Sequence, residues 1–382
     1  MVVYILLKFF IILSLVFSGL MLQKRRVSSF GTTYYRYPFY LAVFPVCIVY
    51  TIVEGLRYGR AADYFSYHDT FIGLRYIDYE PLFAVFVKLL NIIDAPFYLG
   101  FLICSFVLIL CGGLLIKEIR FLGLFVLPLF YLDTISQSSN LVRMYVALSL
   151  ILLALKYLIQ NRNNRVIIYL CLAFLTHYSS IILFPFIFLF NKYDNLFKNR
   201  YIITILFLIL NLSTVGVEFI ADRLPSLKIF GLYLNYLDSA NVWILGEGIE
   251  KVKNDFSVFY YTRSYLTPLC VIWFGHKYIK KYKSYKYGIF YNLYVIGALF
   301  MPTALTLPTE VFYRLCLYFL SFKFFVLSFI FYEKFNKLSK FNLLSVAIIN
   351  IVFLDSIYLL FKTIFVYSSE LGNQFVWDII TD

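Results

Sequence analysis

Apolar runs about as long as a membrane is thick alternate with short polar segments along the whole chain. Val3–Leu22, Phe39–Leu56, Phe97–Ile116, Leu141–Gln160, Tyr201–Ala221, Tyr287–Leu307, Val311–Tyr332 and Phe341–Phe361 each read as one helix. Such runs have the length a helix needs to cross ~30 Å of hydrocarbon with its backbone groups satisfied internally. The first run ends in Gln23-Lys24-Arg25-Arg26, not in a small-residue cleavage site, and reads as a retained span.

Other apolar runs are shorter or interrupted. Pro81–Ile93 is too short to cross comfortably and reads as a re-entrant or interfacial helix. Pro81 suits its first turn, with Glu80 beside the positive helix end. Phe121–Leu132 carries Pro128, a kink signal, and Asp133–Asn140 then reads as a loop. Val166–Phe190 has the length of one tilted span, but Thr176-His177-Tyr178-Ser179-Ser180 breaks its middle. It reads as two short helices meeting at His177, a geometry tolerated at membrane depth where a cavity is lined. Ser264–Gly275 is a further short apolar piece. The fold class is therefore all-α: a polytopic integral membrane protein with about 11–12 transmembrane helices, one or two of them short or re-entrant. Residues 1–382 read as a single transmembrane domain.

Composition agrees. The chain is 62% hydrophobic and 14% charged, more apolar surface than a soluble core absorbs. Its net charge of +13 does not indicate a nucleic-acid partner, because the bases collect in short loops between spans. The insertion rule places such loops in the cytoplasm. Lys24–Arg26, Lys117 and Arg120, Arg162 and Arg165, Lys277–Lys286 and Lys334–Lys340 then lie inside. The polar segment 57–80 and the longer one at 222–263 lie outside, the latter as a long periplasmic loop. The six cysteines all sit in apolar runs without metal-ligand spacing and read as buried thiols. No Asp-x-Asp pattern appears, so the chain is expected to work without a metal or other cofactor.

Residues 57–81 form a polar island between apolar runs. They include Arg57, Arg60, Arg75, Asp63, Asp69, Asp78, Glu80, His68 and several tyrosines. On the charge-based topology, Arg57, Arg143, His177 and Arg314, from four distant parts of the chain, all fall near the outer leaflet. An arginine one turn inside an apolar helix is costly unless it faces water or an anion. Its forked donors suit phosphate oxygens. The duller alternatives are snorkelling for Arg143 and Arg314, a loop base for Arg57 and a locally bonded structural histidine for His177. His68 and His276 carry no functional reading. The favoured reading is a site for an anionic, sugar-bearing lipid, with its pyrophosphate held by arginines.

Four blocks of sequence carry a resemblance. They are Arg57-Tyr58-Gly59-x-x-x-Asp63-Tyr64-x-x-Tyr67, Glu80-Pro81-Leu82-Phe83, Arg143-Met144-Tyr145-Val146-Ala147 and His177-Tyr178-Ser179-Ser180. Together they resemble the EpsG/Wzy family of polysaccharide polymerases, whose blocks read R-x-G-T-D-Y-x-x-Y, R-Q-x-x-A and H-x-S. Two extra residues separate Gly59 from Asp63 here, and Met144 stands where the family has Gln. The match runs mainly over residues 50–190, with Tyr313-Arg314 beyond it.

The resemblance implies a membrane glycosyltransferase in a bacterial inner membrane. Such enzymes join undecaprenyl-pyrophosphate-linked oligosaccharide repeat units into O-antigen or capsule at the periplasmic face. It implies membrane lipids, a chain-length regulator and a flippase as partners. On that reading Arg57, Arg143 and Arg314 bind pyrophosphate, and His177 is the first candidate base because imidazole exchanges protons near neutrality. Asp63 is the second, and Tyr64, Tyr67 and Glu80 support the site. The rival classes are a flippase for the same lipid-linked unit, which calls for internal repeats and mid-membrane charges, and a membrane acyltransferase using His177.

Overall fold

The structure is a computed structural model. It describes residues 2–27, 33–59, 63–74, 79–193, 196–197, 199–212, 262–277, 287–306, 310–336, 343–365 and 374–375. The fold is that of an all-α polytopic membrane protein. Four described stretches are long and apolar enough to cross a membrane: Leu6–Gln23, Phe97–Tyr131, Val142–Ile159 and Arg314–Phe335. Shorter apolar helices accompany them. Two compact units divide the chain, residues 1–184 with 356–382 and residues 185–355.

The first unit contains every sequence block named above except Tyr313-Arg314. Its helices are α1 (Val2–Gln23), α2 (Phe39–Gly55), α3 (Tyr64–Phe71), α4 (Pro81–Ile92), α5 (Phe97–Ile116), α6 (Gly123–Ser138), α7 (Val142–Ile159) and α8 (Asn163–Thr176). Helix α2 packs on α1 and α5, and α7 packs on α5 and α8. Close approach is possible because small residues sit at the crossings, the usual device where lipid is the alternative neighbour. A Cβ at Gly55 would lie 2.7 Å from the Leu102 Cα, so the α2 and α5 backbones come this close only because Gly55 has no side chain.

Strands are few and short among the described residues. β1 (Arg25–Val27) pairs antiparallel with β2 (Thr33–Tyr35). β3 (Arg57–Tyr58) pairs antiparallel with β4 (Gln374–Phe375), bringing the end of the chain beside the first polar block.

The short pieces follow the apolar pattern. Helix α4 is 12 residues long with Pro81 in its first turn and Glu80 at its N-cap position. α8 stops at Thr176, His177 is extended (φ −158°, ψ 110°), and a 3-10 turn runs over Tyr178–Leu183. The break at His177 is therefore real, and it lifts the imidazole off the regular helical surface.

Two expectations are corrected. Residues 133–138 are not a loop: α6 runs on to Ser138, with Pro128 inside it. Thr134 supports this last turn by bonding the Phe130 carbonyl at 2.8 Å. Lys334 is not in a loop either. It lies in the helix Lys323–Asn336, 2% exposed, with its ammonium on Asn350 Oδ1.

The second unit is built on aromatic packing. It holds most of α9 (Phe184–Lys192), α10 (Arg200–Leu212), a helical segment over Thr262–Gly275 and the helices Gly288–Thr306, Glu310–Leu320 and Lys323–Asn336. Phe290 stacks on Phe325 with ring centroids 4.3 Å apart, and Tyr291 donates to the Ile272 carbonyl at 3.1 Å. The expected loop over 222–263 and the basic run Lys280–Lys286 lie outside the described residues, apart from Thr262 and Arg263.

Candidate functional site

Glu80 is the centre of the arrangement. Its carboxylate takes a hydrogen bond from Arg143 Nη1 at 2.5 Å on one oxygen and from His177 Nδ1 at 2.6 Å on the other. Three elements supply the three residues: the N-cap of α4, the first turn of α7 and the residue that ends α8. Helix α8 packs against both α4 and α7, which closes the triangle.

Each is placed by a local feature. Pro81 starts α4 and turns the chain so that Glu80 precedes the first turn with an extended backbone. The Glu80 side chain makes no capping bond to its own helix and is spent on the other two elements instead. The Glu80 side chain is 8% exposed, His177 20% and Arg143 25%. The carboxylate is thus covered, while the imidazole and the guanidinium are more exposed. Burial raises the Glu80 carboxyl; the His177 hydrogen bond and the Arg143 charge outweigh it and hold its pKa at about 2.

A second layer fixes Arg143. Its Nε points at the Tyr67 hydroxyl at 3.4 Å, and its guanidinium lies over the Tyr79 ring at 4.6 Å and the Phe83 ring at 6.0 Å. Tyr79 is itself tied through its hydroxyl to Thr70 Oγ1 at 2.9 Å. Burial raises the Tyr67 phenol, so it stays a neutral partner. Tyr64, one turn earlier on α3, is fully buried and stacks flat on Phe101 at 4.7 Å. Its place is in the aromatic core under the site, while Tyr67 touches the site itself.

The remaining predicted residues separate. Arg57 is 3% exposed; Nη1 donates to the Glu54 carbonyl, Nη2 to the Ser139 carbonyl at 3.4 Å, and the guanidinium lies over Phe101 at 5.0 Å. It is built into the floor beneath Tyr64, not onto Glu80. Asp63 precedes α3, and its backbone N–H donates to Asn140 Oδ1 at 3.0 Å, just before α7. Arg314 lies in the second unit, on the helix Glu310–Leu320, partly covered. Arg60, Arg75 and Asp78 lie outside the described residues. His68 bonds Asp69 at 2.9 Å and rests on Phe97 at 4.5 Å. Among the described residues no group of three or more His, Cys, Asp or Glu is placed to hold a metal.

This constellation joins the second, third and fourth sequence blocks, with Tyr67 adding the end of the first. The EpsG family model matches residues 39–369. The chain belongs to the EpsG family. Membership of the EpsG family, which is polymerase-like in the Wzy manner, makes it a polysaccharide polymerase-like membrane protein. No curated protein and no solved structure is significantly similar to it. Nothing in that match identifies the residues that do chemistry; the Glu80 triangle is the structure's own contribution.

Tyr79, Lys8 and Glu54, which lie outside the four sequence blocks, are also tied to the site or its floor. Tyr79 was one aromatic among many. Lys8 and Glu54 sit inside apolar runs and are 0% and 3% exposed. Charges inside spans are a signal of function in their own right, and both were legible on that ground.

Proposed function

We propose that this protein joins undecaprenyl-pyrophosphate-linked oligosaccharide units into a surface polysaccharide at the periplasmic face of a bacterial inner membrane. The observation that carries this is the Glu80 carboxylate bridging Arg143 and His177 from three separate elements. A buried acid that orients an imidazole beside a guanidinium is suited to glycosyl transfer from a phosphate leaving group.

A hydroxyl of the acceptor sugar attacks the anomeric carbon of the growing chain. The carbon–oxygen bond to pyrophosphate breaks, and the lipid pyrophosphate leaves with the electron pair. The hydroxyl proton passes to His177 Nε2, since Nδ1–H is turned toward Glu80. Glu80 fixes the tautomer and ring plane, and it stabilises the imidazolium that forms. Arg143 meets the charge that develops on the leaving group, where a preorganised cation is worth most. Glu80 balances the Arg143 charge at rest and, being held by both partners, keeps the guanidinium fork aimed. Arg57 adds positive charge from the floor of the site, and Asp63 is the alternative proton acceptor.

The experiment is a surface polysaccharide ladder from a deletion strain complemented with wild type, His177→Ala or Arg143→Ala, at matched protein levels. Single repeat units on the surface lipid, with no ladder, are expected from the deletion and from both variants. Lipid-linked units trapped inside the cell would overturn the reading in favour of a flippase.

A further inference from the structure

The charges around the site do not sum as the arginine count suggests. Arg143 faces Glu80, so that pair carries no net charge. Arg57 follows Glu54 by three residues, and both border a cavity of about 20 Å³ together with Tyr50, Ser138 and Tyr145. That volume suits about one water molecule and is too small for a pyrophosphate group. A phosphate group cannot enter that cavity, so Arg57 can reach one only through its field, not by contact in it. A carboxylate beside it would cancel that field.

Lys8 on α1 reverses this. Its ammonium is fully buried and pairs with Glu54 Oε1, which also accepts from the Tyr131 hydroxyl at 3.4 Å. The ammonium also lies 5.7 Å from the centre of the Tyr131 ring. Three helices, α1, α2 and α6, thus meet around one buried ion pair. Burying such a pair is expensive, and its retention calls for a role other than stability. Lys8, Glu54 and Arg57 together carry one net positive charge. Without Lys8 they carry none.

We infer that Lys8 is a positioning residue that offsets the Glu54 carboxylate, so that Arg57 presents a positive field to the phosphate-bearing substrate. This rests on the proposed polymerase activity. It predicts that neutralising Glu54 offsets the loss of Lys8.

The test is a double-mutant cycle in the complemented deletion strain, with polymer per unit of protein read from the ladder and an immunoblot. The variants are Arg57→Ala, Lys8→Met, Glu54→Gln, the Lys8→Met/Glu54→Gln double and Lys8→Arg. Removing one net charge at low dielectric is expected to lower polymer by about tenfold or more in Lys8→Met and in Arg57→Ala. Lys8→Arg keeps the charge and wild-type polymer, and the double variant, which again carries one net positive charge, returns polymer to within about twofold of wild type. If Lys8→Met does not accumulate, the comparison of the double with wild type still decides. A double variant far below wild type at matched protein level, or wild-type polymer in Arg57→Ala, overturns the inference. Those failures are distinct from failure of the polymerase reading, in which the deletion strain itself would put no repeat unit on the surface.

Discussion

Replacing Glu80 with glutamine removes the charge that holds Arg143 and His177 together while keeping the shape of the side chain. Its size can be worked out in two ways. The carboxyl's pKa falls from 4.5 to about 2 in the folded protein. At about 1.36 kcal/mol per unit, that is a stabilisation on the order of 3 kcal/mol. Two hydrogen bonds to a charged carboxylate, at ~1.5–3 kcal/mol each, give a similar figure at their lower end. The sign follows from the direction of the shift. A depressed carboxyl stabilises the fold fully above about pH 4.5 and loses that contribution as the pH falls toward 2. In detergent, Glu80→Gln is therefore expected to melt well below wild type at pH 7, and the gap should close as the pH is lowered below about 4.5. In cells the variant should leave single repeat units, because His177 loses its orienting partner. Equal melting temperatures at pH 7, or a gap unchanged down to pH ~3, would refute the claim that the carboxylate organises the site.

Arg143→Lys keeps the charge but cannot reach Glu80 and Tyr67 together. Polymer should fall about a hundredfold at normal protein level, and a wild-type ladder would remove Arg143 from the chemistry. Gly100→Ala places a Cβ 2.6 Å from the Phe71 Cδ2 atom, where α5 meets α3. It should cost about 1–3 kcal/mol, read as a lower melting temperature, and unchanged melting would show that the ring can move aside. Chelation with EDTA should leave polymer formation by the purified protein in proteoliposomes unchanged. Loss of activity restored by magnesium would show that arginines do not suffice for the leaving pyrophosphate.

The apolar run Phe97–Ile116 and the helix α5 have the same ends, and α1, α2 and α7 agree to within a residue or two at each end. Hydrocarbon thickness and the need to satisfy backbone groups internally leave a long apolar run no alternative. The helix break at His177 was legible for the same reason: Thr176 to Ser180 interrupts the run with polar side chains. Residues 133–138 were misread because polar residues at the end of a span look like a loop. Thr134 instead bonds back to Phe130 and continues the helix. Lys334 was misread because a base near a span end suggests a loop, whereas here it turns inward to Asn350.

The chain itself determined the class of protein, the positions of its main helices and a short roll of polar residues too costly to keep in lipid without a purpose. Those are local properties, set by run length and transfer free energy. Which of those residues meet was decided only by tertiary structure, because the contacts join residues 63 to 97 positions apart in the sequence. The pattern ranked Arg57 beside Arg143 and gave Glu80 a minor part. Packing of α4, α7 and α8 put Glu80 at the centre and sent Arg57 into the floor. Helix packing likewise brought Lys8 onto Glu54, a pairing that no spacing rule could reveal, since it depends on how α1 and α2 are rotated toward each other.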